Sequence, residues 1–185
     1  MTRVAVMLAT GYEEGESLFV VDIMRRAGFA CDSISIEGEQ VTGCHNITVV
    51  ADAVFDGSLD AYDAVVVPGG LPGASNLAEC DAFVAALRKA YEDGKLVSSI
   101  CAGPMSLDKA GILAGKRFTC FPSRKETIGT DGTWVDELVV QDGNVLTSQG
   151  PGTTLHFAFA LVDALGGNGD ALRNGMLYSK VTGLA

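Results

Sequence analysis

The sequence is poor in the residues that build metal centres and disulfide frameworks. It has 2 histidines, His45 and His156, and 5 cysteines, no two of which form a Cys-x-x-Cys pair. An odd number of cysteines, without any sign of secretion, favours reduced thiols. Because a zinc site needs several neighbouring Cys or His ligands, this scarcity predicts a protein without a metal centre.

Basic residues and long apolar runs are also scarce. There are 13 Lys and Arg against 23 Asp and Glu, a net charge of -10, which disfavours a stable nucleic-acid partner. No run is long enough to span a membrane. The apolar start, residues 3–9, leads into an acidic loop without a convincing signal-peptide cleavage site. These absences predict a cytoplasmic protein without a membrane partner.

The remaining composition is typical of a globular α/β protein. The chain is 48% hydrophobic and 19% charged, and its 185 residues suit one domain, residues 1–185. The predicted strands are 3–9, 31–36, 64–67, 96–100 and 117–120, with a ribbon at 41–44 and 47–50 and a hairpin at 138–140 and 145–147. The predicted helices are 14–27, 80–91, 106–113, 153–165 and 170–177. This alternation predicts a mostly parallel sheet with helices on both faces.

In such sheets the functional site lies at the carboxyl ends of the strands. Three loops follow predicted strands there: 10–16, 68–73 and 101–104. We therefore expect the chemistry of this chain to come from these loops.

Cys101 is the main candidate nucleophile. It ends an apolar strand and is followed by Ala102-Gly103-Pro104, a string that resembles in form the nucleophile elbow of hydrolases. Pro104 suits the first turn of a helix. A thiol at a helix N-terminus should have a lowered pKa. The alternative is an inert cysteine of the core.

Two further strings offer backbone N–H groups. Gly69 and Gly70 follow a strand, and with Ala102 they could hold an oxyanion if the loops are neighbours. The alternative is a plain turn. Residues 150–154, Gly-Pro-Gly-Thr-Thr, are a second candidate anion cradle, for which a capped helix start is the preferred interpretation.

An acidic loop contains Glu13, Glu14 and Glu16. A carboxyl close to a thiolate has its pKa raised by burial and like charge. Glu16 could then donate a hydrogen bond to sulfur or act as a general acid and base. Helix N-terminal charges are the preferred interpretation of Glu13 and Glu14, and at least one of the three should face solvent. Three carboxylates would repel the phosphate of a flavin.

The two histidines are weaker candidates. His45 lies in the ribbon turn and His156 in a predicted helix, and neither flanks Cys101 in sequence. Either could be a general base if folding brought it close to the thiol. Surface or packing roles are the preferred interpretation of both.

Five strings together resemble the ThiJ/PfpI superfamily, in its branch of parkinsonism-associated deglycase (DJ-one) and YajL-like proteins. They run in family order over nearly the whole chain, at residues 11–16, 21–28, 67–70, 100–104 and 146–153. The resemblance implies a flavodoxin-like three-layer sandwich, similar to class I glutamine amidotransferases, and a homodimer. It implies that Cys101 is the oxidisable nucleophile, that Glu16 bonds it, and that Gly69, Gly70 and Ala102 supply backbone donors, with no cofactor.

At two positions this chain departs from the family pattern, and each departure bears on the activity expected of it. The protease-like branch has a histidine directly after the cysteine, where this chain has Ala102, which argues against a Cys-His peptidase. Many deglycase relatives have a histidine at the position of Phe121, a candidate lining residue of the pocket, whereas the YajL-like group has phenylalanine. Without that base, proton transfer would fall to Glu16 or water.

Three hypotheses follow from the sequence. The first is a cysteine-dependent, cofactor-free deglycase or glyoxalase acting on methylglyoxal or glycation adducts. The second is a redox-sensing chaperone or binding protein in which Cys101 is oxidised and turnover is small. The third is a dimeric partner-binding protein whose thiol is incidental.

Overall fold

A computed structural model describes residues 1–128 and 131–183, and within them the chain forms eleven strands and seven helices. The strands are β1 (Arg3–Leu8), β2 (Ala30–Ser35), β3 (Gln40–Thr42), β4 (Thr48–Val50), β5 (Ala53–Val54), β6 (Ala64–Val67), β7 (Leu96–Ile100), β8 (Arg117–Phe118), β9 (Thr133–Trp134), β10 (Val139–Asp142) and β11 (Val145–Ser148). The helices are α1 (Glu14–Arg26), α2 (Gly73–Glu79), α3 (Asp81–Glu92), α4 (Pro104–Lys109), α5 (Thr154–Ala164), α6 (Gly169–Gly175) and α7 (Tyr178–Thr182).

Seven of the strands form the central sheet, in the order β10-β11-β7-β6-β1-β2-β5. All neighbours pair in parallel except β10 and β11, which form the antiparallel hairpin expected around Asp142 and Gly143. The ribbon of β3 and β4 is a separate antiparallel sheet. The mostly parallel sheet predicted from the sequence is confirmed.

The sheet is buried on both faces, which makes the fold a three-layer sandwich. Because side chains alternate along a strand, β1 sends Ala5 and Met7 into one apolar cluster and Val4 and Val6 into the other. Helices α2, α3 and α4 cover the first face and α1 and α5 cover the second. This arrangement is the flavodoxin-like architecture that the family resemblance implies.

Most predicted strands and helices are present. Some differ in their bounds, because contacts with distant segments determine where they begin and end. The predicted strand 117–120 is reduced to β8, which pairs with β9 outside the central sheet. The helix predicted at 106–113 begins earlier, at Pro104, and ends at Lys109 shortly before Gly111, whose φ is +73°. Four elements, α2, α7, β5 and β9, have no counterpart among the predicted ones.

The strand order determines where the site forms. β1, β6 and β7 are adjacent in the sheet and parallel to one another. Their carboxyl ends therefore lie side by side, and the three loops expected to carry the chemistry are neighbours. No helix in the described ranges is long and apolar enough to cross a membrane.

The apolar cluster between the sheet and helices α2, α3 and α4 gives a test of the fold. Phe83 on α3 is fully buried, and its ring packs edge-on against Phe55 with centroids 6.1 Å apart. Phe83→Ala should lower the free energy of unfolding by about 3–5 kcal/mol, because it removes the buried ring and leaves a cavity. Val181→Ala, at an exposed position, should change it by less than about 0.5 kcal/mol. Equal denaturation midpoints for the two variants would contradict this packing.

Candidate active site

Cys101 lies on a strained turn directly after β7. Its φ is +63°, a left-handed conformation uncommon for residues other than glycine and one that collects at functional sites. Its N–H donates to the carbonyl of Ser148 at 3.1 Å, and its own carbonyl accepts from the N–H of Phe121 at 2.9 Å. Pro104 then starts α4. The turn is thus fixed by both neighbouring segments, and the side chain is only partly buried.

Glu16 meets Cys101 at Gly69. The Glu16 side chain has no solvent exposure, and its Oε2 accepts a hydrogen bond from the N–H of Gly69 at 2.8 Å. A Cβ at Gly69 would lie 2.7 Å from both the Cys101 Cβ and the Glu16 Oε2. No larger residue fits between the thiol and the acid, so glycine at this position permits their approach.

Backbone donors surround the Cys101 sulfur. The N–H groups of Ala102 and Gly70 are placed to hydrogen-bond it, and both favour the thiolate. Gly70 has a φ of +84° and packs against the backbone of residues 11–13, so a side chain there would be strained and would collide. The 68–73 and 101–104 loops therefore lie together, with Gly69, Gly70 and Ala102 around the thiol.

The two acidic groups shift each other's pKa. Burial raises the pKa of Glu16 to about 7, although the hydrogen bond from Gly69 opposes the shift. Burial, followed by the charge of Glu16, raises the pKa of Cys101 above its ordinary value, and the N–H groups of Ala102 and Gly70 oppose this. The predicted lowering of the Cys101 pKa by the helix N-terminus was wrong in direction. α4 has only six residues, and desolvation and like charge outweigh its dipole.

The acidic loop differs from the expectation that one carboxylate faces solvent. Glu14 and Glu16 are buried, and Glu13 is partly buried. The N–H of Glu13 donates to the carbonyl of Gly69 at 3.0 Å, which ties this loop to the loop after β6. Glu13 and Glu14 still lie at the N-terminus of α1, as the preferred interpretation has them, but neither is fully solvated.

An open cavity of about 380 Å³ lies over Cys101. Its lining residues are Glu13, Cys44, His45, Gly70, Leu71, Cys101, Ala102, Phe121, Ser123, Arg124 and Pro151. Phe121, the candidate lining residue, is one of them. Arg124 also lines the cavity, and no motif in the sequence indicates it, because the family-specific position of this segment is Phe121, three residues earlier.

The two histidines lie in different environments. His45 lines the cavity, whereas His156 on α5 hydrogen-bonds the Tyr178 hydroxyl at 2.7 Å and packs edge-on against that ring. The preferred packing interpretation of His156 agrees with this contact. The 150–154 string forms a 3₁₀ turn leading into α5, in which Thr153 Oγ1 accepts from the N–H of Gly150 at 3.1 Å.

A family model for the DJ-1/PfpI family matches residues 2–164. The chain belongs to the DJ-1/PfpI family. It is 36% identical over 153 residues to a protein named Deglycase TK1284 from Thermococcus kodakarensis, over 81% of this chain and 91% of that protein. It is 35% identical over 173 residues to Protein DJ-1 homolog B of Arabidopsis thaliana, over 92% of this chain, but it spans only 40% of that relative's length.

A solved structure of the family has the same fold. The crystal structure of Drosophila melanogaster DJ-1beta superimposes with a TM-score of 0.91 at 34% sequence identity, over 95% of this chain and 97% of that one. The family resemblance drawn from the five sequence strings is confirmed, and with it the fold class.

The buried Glu16 carboxyl predicts a pH dependence of stability. Its pKa is about 7 in the folded chain against 4.5 ordinarily, so between these pH values the folded state retains a proton that the unfolded state loses. Its favourable contribution is complete below about pH 4.5 and disappears as the pH rises through about 7. Between about pH 5 and pH 8, wild type should lose up to about 3 kcal/mol of unfolding free energy relative to Glu16→Gln.

Denaturant titrations at a series of pH values measure this difference. The exposed Glu39→Gln is the matched control and should follow wild type throughout. A constant gap between wild type and Glu16→Gln over the whole range would show that Glu16 titrates normally.

Proposed function

We propose that this chain is a cofactor-free deglycase or glyoxalase-type enzyme that acts on methylglyoxal, related α-oxoaldehydes or their glycation adducts through Cys101. The observation that carries the proposal is the meeting of the Cys101 thiol with the buried Glu16 carboxyl at the base of an open cavity. A relative at 36% identity is named a deglycase, which supports this reaction class.

The chemistry begins with a proton shared between sulfur and carboxyl. Because the two groups interact strongly, they titrate as a pair. When the proton resides on Glu16, the charge repulsion disappears and the N–H groups of Ala102 and Gly70 stabilise the thiolate. The carboxyl then serves as the acid that a thiolate nucleophile needs beside it.

The thiolate attacks the aldehyde carbon of the oxoaldehyde and forms a C–S bond. The carbonyl oxygen takes the proton from Glu16, giving a hemithioacetal. The carboxylate then removes the hydrogen on that carbon as a proton and returns it to the neighbouring carbon, while the hydroxyl proton passes to the former ketone oxygen and the thioester C=O forms. Water cleaves the thioester, releasing lactate and the thiol. The aldehyde carbon is oxidised and the ketone carbon is reduced, so no external oxidant is needed. One water is consumed when the thioester is hydrolysed.

The pKa of Glu16 suits both directions of proton transfer. A general acid and base works best when its pKa is close to the operating pH, and burial brings Glu16 to about 7. Phe121 stands where many deglycase relatives have a histidine, and it cannot transfer a proton. In this proposal Glu16 therefore carries the proton to and from the reacting atoms, with water as its alternative.

The proposal includes the expected setting of the protein. We expect a cytoplasmic homodimer, as the sequence analysis implied. Apolar side chains that a partner could cover are exposed on α1, where Leu18 is 37% and Phe19 is 48% exposed.

Lactate formation from methylglyoxal tests the enzyme hypothesis. Cys101→Ser should remove turnover, and Glu16→Gln should lower kcat by about 10²–10⁴-fold, because each removes a group that acts on the reacting atoms. Cys80→Ser, at a partly exposed cysteine outside the cavity lining, should retain activity. Lactate is followed directly because lysines and other thiols also consume methylglyoxal. Equal lactate output from wild type and Cys101→Ser would refute the proposal.

The second candidate function is redox sensing. It is favoured by the same N–H groups of Ala102 and Gly70 and by Glu16, since donors around the sulfur also stabilise an oxidised, negatively charged sulfinate. Under limited peroxide, Cys101 should be oxidised to the sulfinic acid before Cys80, the partly exposed comparison. Mass spectrometry of the two peptides measures this order. Equal oxidation of both cysteines would leave the sensor hypothesis without a basis.

A further inference from the structure

A second group of reactive side chains converges at the rim of the Cys101 cavity, and the proposed reaction does not use it. Glu13 and Glu14 come from the start of α1, and Cys44 and His45 come from the turn between β3 and β4. Each side chain contributes one potential ligand atom, and all four atoms lie within 4.8 Å of one another.

We propose that Glu13, Glu14, Cys44 and His45 form a binding site for a divalent metal ion of the Zn²⁺ type. The donor set is one sulfur, one imidazole nitrogen and two carboxylate oxygens. Zn²⁺ accepts all three kinds of donor and prefers four of them in tetrahedral geometry. Thiolate and imidazole together disfavour Mg²⁺ and Ca²⁺, which bind oxygen.

The separations of the donor atoms are close to those of a zinc tetrahedron. Typical Zn–S, Zn–N and Zn–O bond lengths give donor-to-donor distances of roughly 3.4–3.6 Å. The Cys44 Sγ lies 3.3 Å from the His45 Nδ1 and 3.0 and 3.6 Å from the Oε2 atoms of Glu13 and Glu14. The same nitrogen lies 2.9 Å from Glu14 Oε2 and 3.6 Å from Glu13 Oε2. Most of these distances would need to change by only a few tenths of an ångström to match those around a bound ion.

Glu14 is already oriented for this role. Its Oε1 accepts hydrogen bonds from the N–H groups of His45 at 2.8 Å and Ile47 at 3.4 Å, which directs Oε2 toward the imidazole and the thiol. A Cβ at Gly43 would collide with the Glu14 carboxyl, so glycine in the ribbon turn leaves the space that the acid occupies. Outer hydrogen bonds of this kind fix the orientation of metal ligands.

The backbone holds the two pairs of ligands together. The N–H of Cys44 donates to the carbonyl of Tyr12 at 2.9 Å, and the N–H of Gly11 donates to the carbonyl of Thr42 at 2.8 Å. The ribbon turn is therefore fastened to the loop that precedes α1. Because the ligands are positioned before binding, little conformational entropy is lost when an ion enters.

The charge of the cluster suits a cation. The carboxylates of Glu13 and Glu14 lie against the Cys44 thiol. Both also form a salt bridge with His45, which is charged only when it is protonated. A divalent ion would neutralise the carboxylates and bind the sulfur as thiolate. The His45 side chain is 67% exposed, which gives an ion a path from solvent. With four protein ligands, the bound metal would be of the structural type and would fix this wall of the cavity.

Co²⁺ titration of the reduced, chelator-treated full chain tests the site. Wild type should bind one equivalent with tetrahedral d–d bands and a thiolate-to-cobalt charge-transfer band, and Zn²⁺ should displace the Co²⁺. Cys44→Ser should remove the charge-transfer band, and His45→Gln should weaken binding more than about tenfold. Cys80→Ser and His156→Gln are the matched controls and should bind like wild type, and Cys101→Ser should retain the band.

Two results would overturn the site. Loss of the band in Cys101→Ser with retention in Cys44→Ser would place the metal on the cavity thiol. Wild type without a charge-transfer band would show that these four groups are only a hydrogen-bonded cluster. The exposed His45→Gln keeps the test informative if Cys44→Ser fails to fold, and circular dichroism checks the fold of each variant. A wild type without the band would leave the reaction proposed for Cys101 unaffected, because lactate formation is measured separately.

Discussion

The site depends on a carboxyl group held out of water against a sulfur. Glu16 has no solvent exposure, and one of its oxygens is bonded by the Gly69 N–H. The other, Oε1, has no hydrogen-bond partner within the described part of the chain. A buried carboxylate with an unpaired oxygen is costly, and the group reduces this cost by binding a proton near neutral pH. The same desolvation that destabilises the charged acid makes it a proton donor beside Cys101.

The topology of the sheet makes this meeting possible. Cys101 follows β7, Gly69 follows β6, and Glu16 lies on the helix that follows β1, three neighbouring parallel strands. Their carboxyl ends lie at one edge, so segments separated by more than 50 residues of sequence come into contact there. Because Gly69 has no side chain, Cys101 and Glu16 can approach each other closely. The fold therefore supplies the proximity, and one glycine supplies the contact distance.

Sequence reasoning was strongest where local patterns decide. Apolar strands, turn glycines and the proline at the start of α4 predicted the sheet, and the rule for parallel sheets selected the three loops that meet. Predictions from the sequence failed where segments distant in the chain act on one another. The burial of Glu14 requires the ribbon turn around Gly43, and the raised pKa of Cys101 requires Glu16 and desolvation together. The dipole of α4 acts within the segment of Cys101 alone, so it indicates a lowered pKa where contacts from other segments raise it.

A carboxyl group lies against a cysteine sulfur at two places in this chain, and the pKa of the acid shifts in opposite directions at the two places. At Cys101 the acid is desolvated, so its pKa rises to about 7 and it can exchange a proton with the thiol. At Cys44, burial of Glu14 is outweighed by hydrogen bonds from His45 and from backbone N–H groups, which lower its pKa to about 2. Burial and the bond to Glu13 raise the pKa of Cys44 to about 12. At the first pair desolvation dominates and brings the acid close to neutral pH, whereas at the second pair hydrogen bonds dominate and keep the Glu14 carboxylate charged. Counting histidines and cysteines could not reveal this, since the second cluster forms from two dipeptides that only the folded ribbon brings together.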